Sequence, residues 1–428
     1  MKNNPYKNKL TTPDAAVRHV KSGDRVVLGH CVAEPQVLIE ALMKRKNELS
    51  NVEIVHMVPL GKAEYCKPEM EGHFRHNGIF IGAPTRKAVQ EGLADYTPCY
   101  FSEIPRLFSN HYLQVDVAMI SVSTPDEHGY MSLGTSVDYT LAAVKNAKVV
   151  IAEINDQMIK TFGNSHIHIS EVDHIVETSY TLPELQAKTI TETECQIGEN
   201  CAKLIEDGST LQLGIGSIPD AVLMFLKDKE DLGIHSEMIS DGVVDLYHAG
   251  VITNRKKSIH KGKMIVTFLM GTQKLYEFAN NNPSLEMHPV DYTNHPYIIS
   301  QNSKMVSINS CVQIDLMGQI NSESIGYQHF SGVGGQVDFV RGTSMCPDGK
   351  SIIVLPSTVK DDSISRIVPK LDTGSAVTTS RNDVHYVVTE YGAVELRGKT
   401  LKQRAEALIG IAHPKFREQL TTEYYQRR

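Results

Sequence analysis

The sequence lacks the features that define several protein classes. It contains no tryptophan, no run of about 18 apolar residues and no two cysteines in CxxC spacing. The missing apolar run excludes an ordinary transmembrane helix, and the missing CxxC leaves no common zinc or redox motif. Its seven cysteines are odd in number and scattered, which favours reduced thiols in a cytoplasmic protein. The polar start, MKNNPYKNKL, predicts no secretory signal.

Positive charge is also in short supply. Lys and Arg number 43 against 50 Asp and Glu, a formal net charge of −7. This balance provides no general attraction for nucleic acid or for an anionic membrane. The 428 residues exceed the usual size of one domain, roughly 100–200 residues, so two domains are expected.

Short apolar runs alternate with helix-like stretches along the whole chain. This alternation predicts an α/β fold with mainly parallel sheets. Strands are predicted at 25–28, 52–55, 117–121, 149–152, 210–213, 264–269, 352–355 and 384–388, and helices at 37–44, 137–146, 221–227 and 402–411.

The two halves contain a similar segment. Residues 16–29 (AVRHVKSGDRVVLG) and 201–214 (CAKLIEDGSTLQLG) align at a shift of 208 − 23 = 185, which matches Gly23 with Gly208 and Gly29 with Gly214. A chance match between generic α/β units is the alternative. A true duplication predicts two related open α/β domains, 1–185 and 186–428, with function at the carboxyl ends of the strands.

Two glycine-rich stretches are candidates for ligand contact, at 214–220 (GIGSIPD) and 332–342 (GVGGQVDFVRG). Glycines between a strand and a helix let a ligand approach backbone N–H groups, which can hold a phosphate or an oxyanion. Tight turns or bulges are the alternative reading of both. Pro219 stands where a dinucleotide fingerprint needs a third glycine, so that use is disfavoured.

Two further stretches contain side chains that can take part in catalysis or ligand binding. Glu237, in HSEMISDG, lies among apolar residues and is either a paired core carboxylate or a site residue. His30 and Cys31 are neighbours after the first strand, and a His–Cys pair can form a hydrolase dyad. Adjacent strand residues point to opposite faces, however, so a core or ligand-binding histidine is preferred.

Together these residues resemble the class I coenzyme A-transferases, in the branch of acetyl-CoA hydrolases/transferases that includes 4-hydroxybutyrate and butyrate:acetate CoA-transferases. The resemblance spans essentially the whole chain. It rests on seven pieces in the family order: FRHNGIFIGAPTRKAV (74–89), ADYTP (94–98), SEIP (102–105), PDEHGYMSLG (125–134), GIGSIPDAV (214–222), HSEMISDG (235–242) and SGVGGQVDFVRG (331–342).

The resemblance implies an enzyme of two related α/β domains in the CoA-transferase fold, with Glu237 as the catalytic nucleophile. The carboxylate would form a glutamyl-CoA thioester in a ping-pong cycle, without a metal or a permanently bound cofactor. By the same resemblance, the loop Gly214, Ile215, Gly216, Ser217 and Ile218 binds CoA. The amides of Ile218 and Gly335 donate to the oxyanion, and Gly332, Gly334 and Gly335 let the pantetheine arm lie against backbone.

Four further residues are candidates for substrate contact: His30 and Asn309 for the acid, and Lys304 and Lys360 for the CoA phosphates. Acyl-CoA and a short-chain acid are the expected ligands, and a homodimer is the family expectation. An acyl-CoA hydrolase on the same scaffold is the main alternative. A non-catalytic sensor of CoA esters and a sugar-phosphate isomerase are the others.

Overall fold

The computed structural model describes residues 6–426, which form two units. Unit 1 runs up to Leu185 and includes Val266–Tyr292; unit 2 comprises Gln186–Ile265 and the chain from Thr293 onward. The switch at 185/186 coincides with the predicted domain boundary. The segment Val266–Tyr292, predicted in the second domain, instead belongs to unit 1, because its strand Leu285–Met287 pairs with Phe162–Gly163. None of the helices in residues 6–426 is long and apolar enough to cross a membrane.

Unit 1 is built on a seven-stranded parallel sheet, in the order β7-β6-β5-β1-β2-β3-β4. The strands are β1 (Arg25–Leu28), β2 (Val52–His56), β3 (Phe74–Gly78), β4 (Asp95–Tyr96), β5 (Val117–Val122), β6 (Val149–Asn155) and β7 (His174–Thr178). All six residues of β5 are buried, as expected for a central parallel strand covered on both faces.

Helices and short strands complete unit 1. Its α-helices are Pro13–Ala16, Gln36–Lys44, Arg86–Gln90, Ile104–Ser109, Thr140–Asn146 and Gln273–Ala279. Tyr130–Ser132 pairs antiparallel with His166–His168. The strand predicted over 264–269 is interrupted at Thr267, whose carbonyl accepts the N–H of Val137 instead; the two strands are Met264–Val266 and Phe268–Leu269.

Unit 2 contains a second, mainly parallel sheet. Its strands are β8 (Thr210–Leu213), β9 (Gly233–Ile234), β10 (Met238–Ile239), β11 (Met305–Ser310), β12 (Lys350–Val354), β13 (Tyr386–Thr389) and β14 (Gly392–Glu395). The order is β10-β8-β11-β12-β13-β14, with β9 also on β8; only β10 and β14 run antiparallel to their neighbours. The α-helices are Glu192–Ala202, Ser217–Met224, Asp241–His248, Pro296–Ile299, Gln336–Met345, Leu401–Gly410 and Pro414–Gln426.

Short two-residue and three-residue strands occupy the long connections of unit 2. Gln313–Asp315 pairs with Ile320–Asn321 and Ile367–Val368, Ser324–Ile325 with Gln328–His329, and Thr358–Val359 with Ile364–Ser365.

The two units have similar structure around their matched strands. The matched strands β1 and β8 start 210 − 25 = 185 residues apart, as in the sequence alignment. Each lies between two parallel partners, β5 and β2 for the first and β11 and β9 for the second. Each follows a glycine with positive φ, 83° at Gly23 and 73° at Gly208, where other residues are disfavoured.

Candidate active site

The candidate site of unit 2 lies where β8 and β9 end. The first glycine loop follows β8 directly, and Glu237 follows β9 after two residues. Ser236 fixes this segment, because its hydroxyl donates to the carbonyl of Met238 over 2.7 Å and accepts the N–H of Leu213 over 3.3 Å. Carboxyl ends of parallel strands are the usual ligand-binding edge of open α/β sheets.

Glu237 is half-buried and held by residues from two other segments. Asn294 donates its Nδ2 to Oε2 of Glu237 over 2.8 Å. Gly335 packs against the same atom: a Cβ placed there would lie 1.9 Å from Glu237 Oε2 and 2.4 Å from Asn294 Nδ2. A side chain at position 335 would therefore force the Glu237 carboxylate and the Asn294 amide to move from this arrangement.

His235 connects the segment that carries Glu237 to the segment that carries Asn294. Its ring is fully buried, and Nε2 lies 2.8 Å from the carbonyl of Thr293, the residue before Asn294. A carbonyl can only accept, so Nε2 carries the proton. His235 and Glu237, on either side of Ser236, thus form hydrogen bonds with the adjacent residues Thr293 and Asn294.

The first glycine loop leaves open space beside its backbone. A Cβ at Gly214 or Gly216 would meet no atom within 4 Å. Gly216 has φ +120°, a conformation almost confined to glycine, and helix Ser217–Met224 begins after it. The Ser217 hydroxyl donates to Oε1 of Glu194, which ties the helix start to helix Glu192–Ala202.

Both predicted oxyanion donors occupy the first turn or the cap of a helix. Ile218 is the second residue of helix Ser217–Met224, and Gly335 caps helix Gln336–Met345. N–H groups at these positions have no acceptor within their own helix and carry partial positive charge. Gly334, with φ +55°, turns the chain into the second of these helices.

Asn309 and a residue missed in the sequence form a pair of amides. Asn309, on β11, donates Nδ2 to Oε1 of Gln212 over 3.0 Å, and Gln212 Nε2 lies 3.4 Å from Asn309 Oδ1. Gln212 precedes the glycine loop by two residues and is buried. The sequence feature that could have identified Gln212 is its polar side chain inside the otherwise apolar end of the strand TLQL. Asn294 and His235 were also missed.

His30 lies in unit 1, where it is fully buried between aromatic rings, with Phe268 4.9 Å away. Its Nδ1 lies 2.9 Å from Oδ2 of Asp138 and its Nε2 3.0 Å from the Cys31 sulfur. The expectation that Cys31 points away from His30 is therefore wrong. β1 has already ended at Leu28, and Cys31 has φ +51°, so the alternation of a strand does not apply.

The two candidate lysines occupy different places in unit 2. Lys304 precedes β11 at its amino end, and its ammonium lies 3.3 Å from Glu206 Oε2. That is the opposite end of the strands from the glycine loops, so its placement does not favour a role in CoA binding. Lys360 is exposed in the turn between Thr358–Val359 and Ile364–Ser365, beyond the carboxyl end of β12, with φ +53°.

Family models match both halves of the chain. The acetyl-CoA hydrolase/transferase N-terminal domain matches residues 1–183 and the acetyl-CoA hydrolase/transferase C-terminal domain matches 271–424.

Individual relatives cover the chain almost completely. A 4-hydroxybutyrate coenzyme A transferase of Clostridium kluyveri is 60% identical, covering 99% of this chain and 98% of its own. A butyryl-CoA:acetate CoA-transferase of Anaerostipes caccae is 41% identical, covering 97% and 95%. An acetyl-CoA hydrolase of Candida glabrata is only 24% identical, covering 99% and 89%. The solved 4-hydroxybutyrate CoA-transferase of Porphyromonas gingivalis superposes with a TM-score of 0.86 at 44% identity, covering 99% of each chain.

Proposed function

The chain belongs to the acetyl-CoA hydrolase/transferase family and is a CoA-transferase, and we propose that it moves CoA between acetyl-CoA and 4-hydroxybutyrate or butyrate. The observation that carries the mechanism is the environment of Glu237: a half-buried carboxylate with one oxygen held by Asn294 and packed on Gly335. Such a fixed carboxylate is suited to act as a nucleophile rather than as a solvated surface charge.

The proposed cycle exchanges one thioester for another. The Glu237 carboxylate attacks the carbonyl of acetyl-CoA, which forms a mixed anhydride and releases CoA thiolate. The thiolate attacks the glutamyl carbonyl, so that acetate leaves and a glutamyl-CoA thioester remains. The second acid attacks this thioester and forms a new anhydride, from which the thiolate takes the acyl group. Over the whole cycle one thioester is broken and one thioester is formed, so no ATP enters the balance.

Each attack on a carbonyl creates an oxyanion that needs donors. The N–H groups of Ile218 and Gly335 are proposed for this role, supported by their positions at helix starts. Loss of one such donor typically costs about 3–4 kcal/mol in the transition state. Gly214, Ile215, Gly216 and Ser217 are proposed to lie along CoA, supported by the open space beside the two glycines.

The remaining assignments are proposed as follows. Gly332 and Gly334 would lie along the pantetheine arm, Asn309 would contact the substrate or adduct, and Lys360 would meet a CoA phosphate. The structure gives no support for Lys304 in that role. His30 could serve the acid only through a ring whose two nitrogens already have partners within unit 1. CoA acts as a substrate, and the homodimer stays a prediction.

The central experiment measures CoA exchange between acetyl-CoA and a panel of short-chain acids. Glu237→Ala should abolish transfer to every acid. Borohydride, which reduces an enzyme thioester, should inactivate the native enzyme only after acyl-CoA is added. Glu230→Gln, an exposed carboxylate of the same unit, is the control and should retain activity. Full turnover by Glu237→Ala would refute the mechanism.

A hydrolase remains the second candidate, because one distant relative has that name. In a hydrolase, water resolves the glutamyl thioester. Free CoA release is therefore measured with and without added acid. A transferase releases little free CoA with or without an added acid, because the CoA moves to the second acid, and the new acyl-CoA appears in step with the loss of acetyl-CoA.

A further inference from the structure

A group of chemically reactive side chains lies within unit 1, beyond the carboxyl end of β1. Cys31, His30 and Asp138 are all fully buried there. The Cys31 sulfur lies 3.0 Å from Nε2 of His30, and Nδ1 of His30 lies 2.9 Å from Oδ2 of Asp138. In this order of thiol, imidazole and carboxylate, the imidazole can take the proton of the thiol while the carboxylate orients the imidazole.

The hydrogen bonds of Asp138 determine which nitrogen of His30 is able to take a proton. Oδ1 of Asp138 accepts the Tyr139 N–H over 2.7 Å and the Thr140 hydroxyl over 3.3 Å. An ionised carboxylate only accepts hydrogen bonds, so Nδ1 of His30 donates its proton to Oδ2. In the neutral ring Nε2 then carries no proton, and it accepts the S–H of Cys31.

The backbone of Cys31 turns its sulfur back toward the preceding residue. Cys31 has φ +51°, in the left-handed region that residues other than glycine rarely adopt. The carbonyl of His30 accepts the Ala33 N–H over 3.0 Å and the Ser136 hydroxyl over 2.8 Å, and these bonds hold the turn. Strained backbone that is held by its surroundings is typical of functional sites. The proposed CoA-transfer cycle, however, uses no thiol of the protein.

Two other buried cysteines provide a comparison within the same chain. Cys201 and Cys311 are 0% and 4% exposed, and burial raises the pKa of each thiol to about 12. Within residues 6–426, neither sulfur forms a hydrogen bond with a histidine. Cys31 therefore differs from these two cysteines in having a base beside it, and not in the extent of its burial.

We propose that Cys31 is a reactive thiol that hydrogen peroxide oxidises to a sulfenic acid. Full burial restricts the site to a small uncharged oxidant of this kind. The sulfur attacks one peroxide oxygen while Nε2 of His30 takes the thiol proton, so an S–O bond forms and the O–O bond breaks. The hydroxide that leaves takes the proton from His30 and departs as water. The sulfur is oxidised, the peroxide is reduced, and Asp138 stabilises the imidazolium in between.

The first measurement uses the native enzyme. The protein is exposed to hydrogen peroxide, the peroxide is removed, and the remaining thiols are alkylated after denaturation. Mass spectrometry then gives the rate at which each cysteine loses its free thiol. Cys31 should react at least about tenfold faster than Cys201 and Cys311, because only Cys31 of the three has a general base in contact. A rate at Cys31 equal to or below theirs would overturn the proposal.

Asp138→Asn tests the role of the base with little change of shape. The Tyr139 N–H requires an oxygen acceptor, so the asparagine nitrogen faces Nδ1 of His30 and donates to it. The ring proton then moves to Nε2, which can no longer take the thiol proton. We expect oxidation of Cys31 in this variant to slow to the rate of Cys201.

The matched control is Asp14→Asn, an exposed carboxylate of the same unit, which should leave oxidation of Cys31 unchanged. Melting temperatures show whether both variants fold. Oxidation of Cys31 at the native rate in folded Asp138→Asn would also overturn the proposal. The comparison among the three cysteines of the native enzyme requires no variant, and it decides the proposal even where Asp138→Asn does not fold.

Discussion

Asn294 holds Oε2 of Glu237 with a hydrogen bond of 2.8 Å, although the two residues are 294 − 237 = 57 positions apart. The contact restrains the orientation of this carboxylate. Because the proposed nucleophile works only in a productive orientation, the amide is a positioning group as well as a source of partial positive charge.

Asn294→Ala is expected to lower kcat about ten- to hundredfold, the loss associated with one hydrogen bond to a charged group. KM for acetyl-CoA should change little, since the amide contacts the enzyme's own carboxylate. Asn382→Ala, at an exposed position of the same unit, is the matched control. Steady-state kinetics separate the two parameters, and an unchanged kcat would remove Asn294 from the mechanism.

Gly335→Ala is expected to abolish transfer while the protein remains folded. The backbone at 335 has φ −92°, which alanine adopts readily, so the effect comes from the Cβ that would lie 1.9 Å from Glu237 Oε2. Gly410→Ala, at a helix position with no atom within 4 Å, should leave activity intact and stabilise the fold by roughly 0.4–1 kcal/mol. Activity and thermal denaturation are measured on both. Wild-type turnover by Gly335→Ala would contradict the packing described above.

The two glycines of the first loop should respond differently to alanine. Gly214→Ala adds a methyl group to open space and should leave the melting temperature unchanged while raising KM for acyl-CoA. Gly216→Ala must adopt φ +120°, at a cost of about 1–3 kcal/mol, so its melting temperature should fall as well. If Gly214→Ala binds acyl-CoA normally, the loop does not lie along CoA.

Two buried groups of unit 1 should give opposite dependences of stability on pH. Burial lowers the pKa of His76 to about 4, so its stabilising contribution is complete above about 6.5 and is lost as pH falls through about 4. Burial raises the pKa of Glu153 to about 7, so its contribution is complete below about 4.5 and is lost as pH rises through about 7.

These contributions are measured as the difference in melting temperature between variant and native protein across pH 4–7. His76→Gln should remove the rise of stability with pH, whereas Glu153→Gln should remove the fall. The glutamine oxygen can accept the Leu38 N–H while its amide nitrogen donates to the Tyr180 hydroxyl, so Glu153→Gln is expected to fold. Parallel profiles of native protein and variant would show that the group does not titrate as described.

The strands and the repeat were predictable because they depend on local pattern. Apolar runs such as TLQL become buried parallel strands, and the Gly23 and Gly208 turns sit 185 residues apart in both sequence and structure. The discontinuous composition of unit 1 was not predictable. Phe162–Gly163 pairs with Leu285–Met287, which lies more than a hundred residues further along the chain. Neither short segment has a sequence pattern from which this pairing could be predicted.

The candidate site also contains some residues that could be predicted from the sequence and others that could not. Glu237 and the glycine loops stand out as residue types in motifs, and the resemblance assigned their roles. Asn294 and Gln212 act through side-chain hydrogen bonds across neighbouring segments, which leave no periodicity. The contact between His30 and Cys31 depends on the positive φ of Cys31, a backbone state that a non-glycine residue rarely adopts and that its sequence does not signal.

The packing of Glu237 on Gly335 makes its two oxygens chemically distinct. In the proposed cycle the attacking oxygen departs with the first acid and is replaced by an oxygen of the second. Oε2, held by Asn294, stays behind as the carbonyl oxygen of the thioester. An enzyme turned over with acids labelled with heavy oxygen would therefore take one labelled atom into this glutamate and stop there. The labelled oxygen would mark the attacking position, and the unlabelled oxygen would be the one that Asn294 restrains.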